Sequence, residues 1–318
     1  MNLSLTAVCV FLTLISFVFC GPITAQEVET GCEVIVLGLA QDAGFPQAGC
    51  KKDCCRAAWA DPSLKRFASS LAVVDHESGQ RWLLDCTPDF REQLRLLDEV
   101  APIKSDGIGL SGIFLTHAHV GHYAGLIHLG REAIGADSID VYAMPRMSKF
   151  LKSNGPWDQL VKLENISLQP LTENSELKLN ERISITPIQV PHRDEYSETV
   201  GFVVSGPNRK LLYLPDIDKW SRWDQSINDW VERVDLSLLD GTFFANGEIA
   251  GRDMSQIPHP FVEESIQQFA EFPVEKRSGI RFIHLNHTNP AINPQSRQRE
   301  MLRRAGMDVV EQGQVFDL

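Results

Sequence analysis

The sequence predicts an α/β protein built as a four-layer αββα sandwich, two sheets face to face with helices outside both. Two observations predict it: apolar strand-like runs alternate with helical segments, and a strand-rich middle divides that alternation into two halves. With 318 residues, 43% of them hydrophobic, the chain can bury a substantial core, and a single large domain is the simplest division. The formal net charge of -12 argues against nucleic acid or an anionic membrane as the main partner, since both call for a basic surface. A small-molecule substrate is the expected partner.

Residues 1–25 read as a secretory signal peptide: an uncharged stretch holds the apolar run "LTAVCVFLTLISFVFC", and Ala25 in "GPITAQE" is the candidate cleavage position. The mature protein, 26–318, is then exported to the periplasm or the medium. An uncleaved anchor would place it on a membrane, although the run is short for a full span.

After that segment, "CEVIVLGLA" reads as a buried strand entering the Gly/Pro loop "QDAGFPQAGCKKDCC". "SSLAVVD" and "RWLLDC" follow as strands around the turn "HESGQ", and "PDFREQLRLLDEV" carries apolar residues at helical spacing with Pro88 near its start. Strand "GIFLTH" then precedes a helix around "YAGLIHLGREAIG", and strand "IDVYAM" precedes helix "PRMSKFLKSNG". The runs "ISLQPL", "ELKLNERISITPIQV", "TVGFVVSG", "KLLYLPD" and "DLSLLDG" make the strand-rich middle. Helix "FVEESIQQFAEF" and a last buried strand, "GIRFIHLNH", complete the pattern.

The chemistry collects where strands end. In "IFLTHAHVGHYAGL" the apolar run stops at Thr116, and His117, His119 and His122 follow in the loop, where a rigid sheet can present metal ligands. His192 follows "ITPIQVP", Asp216 follows "KLLYLP" and His284 follows "IRFI". A polar group closing an apolar run is costly unless it has a strong partner, and a cation is such a partner.

The order of "HAHVGH", His192, Asp216 and His284 resembles the metallo-β-lactamase superfamily, whose HxHxDH loop, later His, bridging Asp and final His hold one or two metals between two sheets. "GFPQAGC…CC", "TPDFREQL", "LLDGTF" and "HTNPAINPQSRQREMLRRAGMDVV" are similar to the pyrroloquinoline quinone biosynthesis protein B family within it. The resemblance implies one metal position from His117, His119 and His192, and a second formed or completed by His122, Asp216 and His284. Zinc is the expected ion, with iron or manganese as alternatives. Gly121 departs from the pattern: it stands where the superfamily carries an aspartate, so the second position is expected to be short of an anionic ligand. Well-known members of the closer family lack the first two histidines of the motif, and their presence here brings the site nearer to hydrolytic relatives.

Cys50, Cys54 and Cys55 lie in the loop after the first strand, and His287 follows His284 by three residues. Superfamily relatives that cleave cyclic phosphodiesters hold a structural zinc with such a loop and histidine, and a Cys3His set is a closed zinc site. A disulfide or free thiols are the other readings. Cys32 and Cys86 read as core residues, although they could pair. Asp85 and Asp89 flank "CTP" and could orient ligands or cap a helix; Asp240 in "LLDGTF" could support the site or close a turn. His259 in "IPHPF" could approach a substrate as an acid or a binding group, and Asp216 could position a water. The expected activity is a metal-dependent hydrolase acting on a phosphodiester, lactone or other ester. A role in making pyrroloquinoline quinone, possible oxidation chemistry included, and a non-catalytic metal-dependent binding module are the alternatives.

Overall fold

Both sheets expected from the strand runs are present. The computed structural model describes residues 31–103 and 107–318, and the segment read as a signal peptide lies outside the described residues. Strands β1 (Cys32–Gly38), β2 (Ser70–Asp75), β3 (Gln80–Leu84), β4 (Gly112–Phe114), β5 (Ile139–Ala143) and β6 (Ile166–Pro170) lie side by side in chain order across the first sheet. Strands β7 (Leu177–Lys178), β8 (Ser184–Gln189), β9 (Val200–Ser205), β10 (Lys210–Leu214), β11 (Leu236–Asp240), β12 (Ile280–Ile283) and β13 (Asp308–Val309) do the same across the second. The last strand, β14 (Val315–Asp317), returns to the first sheet and pairs antiparallel with β1, Glu33 opposite Asp317.

Pairing direction positions the site. β3 runs parallel to β4, and β10, β11 and β12 run parallel to one another. Parallel neighbours end on the same edge, so the residues just beyond them converge there, the usual place for a ligand in sheets of this kind.

The apolar runs are continuous because the first sheet is buried on both faces. In β1, Val34 and Val36 join the core between the sheets with Trp82, Phe114, Phe202 and Phe282. Their neighbours Ile35 and Leu37 point the other way and pack with Ala72, Leu83 and Ile113. Helices α1 (Asp53–Ala60), α2 (Phe90–Val100), the single turn α3 (Val120–Tyr123), α4 (Pro145–Ser153) and α5 (Trp157–Lys162) connect the first half. Phe90, Leu97, Met147, Leu151 and Leu160 cover the outer face of the first sheet. Helices α6 (Ile227–Arg233), α7 (Val262–Gln268), α8 (Val274–Arg277) and α9 (Arg297–Arg304) belong to the second half, where Ile227, Val231, Val262 and Leu302 pack against the core. The result is the expected αββα order.

Three local expectations are corrected. The helix expected around "YAGLIHLGREAIG" is only α3 followed by a 3-10 turn, Ala124–Leu129. Gly125 presses its backbone against Thr87, where an added Cβ would meet the carbonyl oxygen at 2.1 Å, and the segment closes at Gly135, which takes φ +61°. The end of the segment read as a loop, Asp53 to Cys55, is instead the first turn of α1. Asp89 stands at the start of α2 without capping it; its carboxylate accepts from Ala68 N at 2.8 Å and ties the helix to the segment that leads into β2.

Candidate metal centre

The strand ends deliver their polar residues to one place. Asp85 follows β3, His117 follows β4, His192 follows β8, Asp216 follows β10 and His284 follows β12. His119 opens α3, and that turn of helix brings His122 back toward Asp85.

Asp216 is the hub. Its Oδ2 lies 3.4 Å from His117 Nε2 and 4.0 Å from His119 Nδ1, while Oδ1 lies 3.2 Å from His192 Nε2. The ligand atoms of these four residues all fall within 4.8 Å of one another, a donor set of three imidazoles and a carboxylate suited to a divalent ion. On the other side, His122 Nε2 and His284 Nε2 are each 3.9 Å from Asp216 Oδ2. Both nitrogens are buried and make no hydrogen bond, which would cost roughly 1–3 kcal/mol apiece without a partner. Asp42, from the loop after β1, brings Oδ1 to 3.8 Å from His122 Nε2. The residues present therefore fit a divalent metal ion.

At His117, His122 and His284 the metal-facing nitrogen is prepared by a hydrogen bond on the far side of the ring. Thr116 Oγ1 donates to Asp85 Oδ1 at 2.9 Å and accepts from His117 Nδ1 at 3.0 Å, which leaves His117 Nε2 as the lone pair. Thr242 Oγ1 donates to Asp240 Oδ1 at 2.7 Å and accepts from His284 Nδ1 at 3.0 Å, with the same consequence for His284 Nε2. Asp85 also accepts directly from His122 Nδ1 at 2.7 Å, and Asp240 from His259 Nδ1 at 2.8 Å. Asp218 Oδ1 stands 3.4 Å from His192 Nδ1. Asp85 and Asp240 thus support the site, and neither is a simple turn residue.

Burial pushes the His117, His119 and His284 imidazoles below their usual range. His122 and His192 go the other way: burial opposes their charge, but Asp85 outweighs it at His122, raised to about 9, and Asp216 does so at His192, raised to about 10. Burial alone would raise the Asp216 carboxyl, yet the surrounding imidazoles, His192 foremost, hold it well below the ordinary carboxylate range. At His122 and His192 a field that favours a proton also favours a cation in its place.

A cavity of about 500 Å³ opens onto this edge, lined by His119, His192, Asp216, His259, Arg193 and Arg252 among others. His259 Nδ1 is also 3.2 Å from Asp216 Oδ1. His76 and His128 lie elsewhere, His76 against Glu33 and His128 stacked on Phe90.

Cys50, Cys54, Cys55 and His287 form a separate group. Cys50 Sγ and Cys54 Sγ are 3.7 Å apart, and His287 Nδ1 lies 3.5 Å from Cys54 Sγ and 3.3 Å from Cys55 Sγ. A tetrahedral zinc with S ligands at about 2.3 Å requires S–S edges of about 3.8 Å, so the spacing fits a zinc site. No disulfide joins the described cysteines, and Cys32 and Cys86 are unpaired thiols in the core.

Thr116, Thr242, Asp218 and Asp42 carry roles that spacing did not reveal. Each threonine does sit within the very motifs that hold the ligands, "THAH" and "DGT", which was the available signal.

A family model described as "Beta-lactamase superfamily domain" matches residues 80–282. The chain belongs to the metallo-β-lactamase superfamily. Within it, the chain is 29% identical over 319 residues to coenzyme PQQ synthesis protein B of Methylobacterium nodulans, covering 90% of this chain and 100% of that one. It is 27% identical over 308 residues to the protein of the same name from Xanthomonas oryzae, covering 88% and 98%. The crystal structure of zinc-bound PqqB from Methylobacterium extorquens superposes with a TM-score of 0.74 at 25% identity over 90% of this chain and 100% of that one. A diphosphatase of the PhnP family, at TM-score 0.63 and 21% identity over 90% and 97%, shares the fold.

Proposed function

We propose that the chain is a metal-dependent hydrolase of esters, with phosphodiesters the leading class and lactones next. The observation that carries this is the group His117, His119, His192 and Asp216 opening into a cavity that also presents Arg193 and Arg252. Guanidinium groups there suit a phosphate, which they bind in fork geometry. Zinc fits the nitrogen-rich donor set, and iron or manganese would also be held by it. A divalent ion in such a site supplies Lewis acidity, making a water more acidic and polarising the substrate oxygen. Asp216, fixed among the imidazoles, orients that water toward the substrate. His259 keeps Nδ1–H on Asp240, so Nε2 is the atom that can pass a proton to a leaving oxygen.

The test is turnover of a chromogenic phosphodiester, a lactone and a carboxylic ester by protein stripped of metal and reloaded with zinc, iron or manganese. Phosphodiester cleavage that is lost in His192→Ala is the expected result. No hydrolysis of any class under every metal contradicts it and would leave a metal-dependent binding module or the second reading.

That second reading is a role like that of coenzyme PQQ synthesis protein B, favoured by similarity to those proteins along 90% of the chain. Its chemistry would be metal-dependent oxidation, with iron the suited metal. A gene for a precursor peptide beside this one supports it; hydrolytic turnover without such a neighbour supports the first. Export through residues 1–25 belongs to the first reading. Protein sequencing of the exported chain is expected to begin at Gln26, and an intact N-terminus in the membrane fraction contradicts cleavage.

A further inference from the structure

Gly121 stands beside the metal-facing histidines with no side chain to offer, yet the space beside it is filled. A Cβ built on Gly121 would lie 2.3 Å from Asp42 Oδ1 and 2.4 Å from Asp42 Cα. The carboxylate of Asp42 thus takes up room that any side chain at 121 would need. Its Oδ1 is buried without a hydrogen-bond partner, as are His122 Nε2 and His284 Nε2, and ligand atoms of the three residues fall within 4.8 Å of one another. Three orphaned, buried donor atoms facing one another are the arrangement a cation satisfies.

The loop that carries Asp42 is held in register with one of those histidines. Ala40 bridges to Leu285, and Gln41 N donates to Leu285 O at 2.8 Å, directly after His284. Asp42 and His284 themselves take φ +32° and +64°, left-handed conformations that cost energy in a residue with a side chain and persist where surroundings enforce them.

We propose that Asp42 supplies the carboxylate of a second divalent-metal position, with His122, His284 and the shared Asp216, so that Gly121 is the partner of a relocated ligand and not a lost one. The shortage of an anionic ligand expected from the sequence is thereby removed. An aspartate at 121 in the otherwise unchanged chain collides with Asp42 and adds no ligand. The inference rests on the metal-centre reading and on no particular substrate.

The experiment is calorimetric titration with zinc of protein stripped at the centre, its Cys-cluster content followed separately by thiol accessibility, with circular dichroism and melting temperature recorded for each variant. The wild type is expected to take two equivalents at the centre. Asp42→Asn should weaken the second about tenfold or more, since one anionic ligand is lost. Gly121→Asp alone should lower the melting temperature, and the pair Asp42→Gly with Gly121→Asp should recover a tight second equivalent. An Asp42→Asn protein that binds both equivalents as the wild type does, with its fold intact, overturns the proposal. A wild type that binds one equivalent overturns it as well, and a wild type that binds none removes the metal-centre reading itself.

Discussion

Asp85 and Asp240 act alike at the ends of the two sheets. Each accepts from a threonine that accepts from a metal-facing histidine, and each holds a second histidine directly: His122 for Asp85, His259 for Asp240. Asp85 also accepts from Thr116 N at 2.8 Å, so both of its oxygens are committed. In Asp85→Asn one oxygen becomes an amide donor that cannot accept from His122 Nδ1 and Thr116 at once. Metal affinity should then fall about 10–100-fold, the usual cost of disturbing a ligand's support, while circular dichroism stays unchanged. Wild-type affinity in that variant would show that the imidazoles need no such orientation. The histidines themselves were legible because such residues seldom close an apolar run without a partner. Asp42 was not, because its meaning lies in a contact with Gly121, far along the chain, that no local spacing encodes.

Secondary-structure elements repeat the lesson in another form. Strands with alternating or continuous apolar residues were readable, and so was α2, whose Phe90, Gln93 and Leu97 fall on one buried face. Short pieces were not: β13 spans only Asp308–Val309, and α3 only Val120–Tyr123, too little for a period to show. α9 hides its role differently, since it buries Arg299, which donates to Val309 O at 2.8 Å and pairs with Glu311, so its apolar stripe is interrupted. α1 matters more than its length suggests. Its first turn carries Cys54 and Cys55, and burial pushes the Cys55 thiol up to about 12, unfavourable for a thiolate unless a cation compensates. Because binding of a structural metal is coupled to folding, Cys55→Ser should release about one zinc per chain and lower the melting temperature. Unchanged metal content and melting would remove the zinc assignment.

At the scale of the molecule, the two sheets make the site jointly. The first contributes Asp42, His117, His119 and His122, the second His192, Asp216 and His284, and each of the two metal positions draws donors from both halves. The four-layer order was legible from the alternation of runs, whereas the return of β14 to β1 was not, being a long-range pairing of a three-residue strand. Since the scaffold is closed by its own core, removing a ligand should empty the centre without unfolding the chain. The most direct test is elemental analysis of the wild type beside His117→Ala and His192→Ala, all purified without added metal and checked by circular dichroism. The wild type is expected to carry divalent metal beyond the equivalent held by the cysteine cluster, and both variants to lose it with their fold intact. Equal metal content in the three proteins would contradict this.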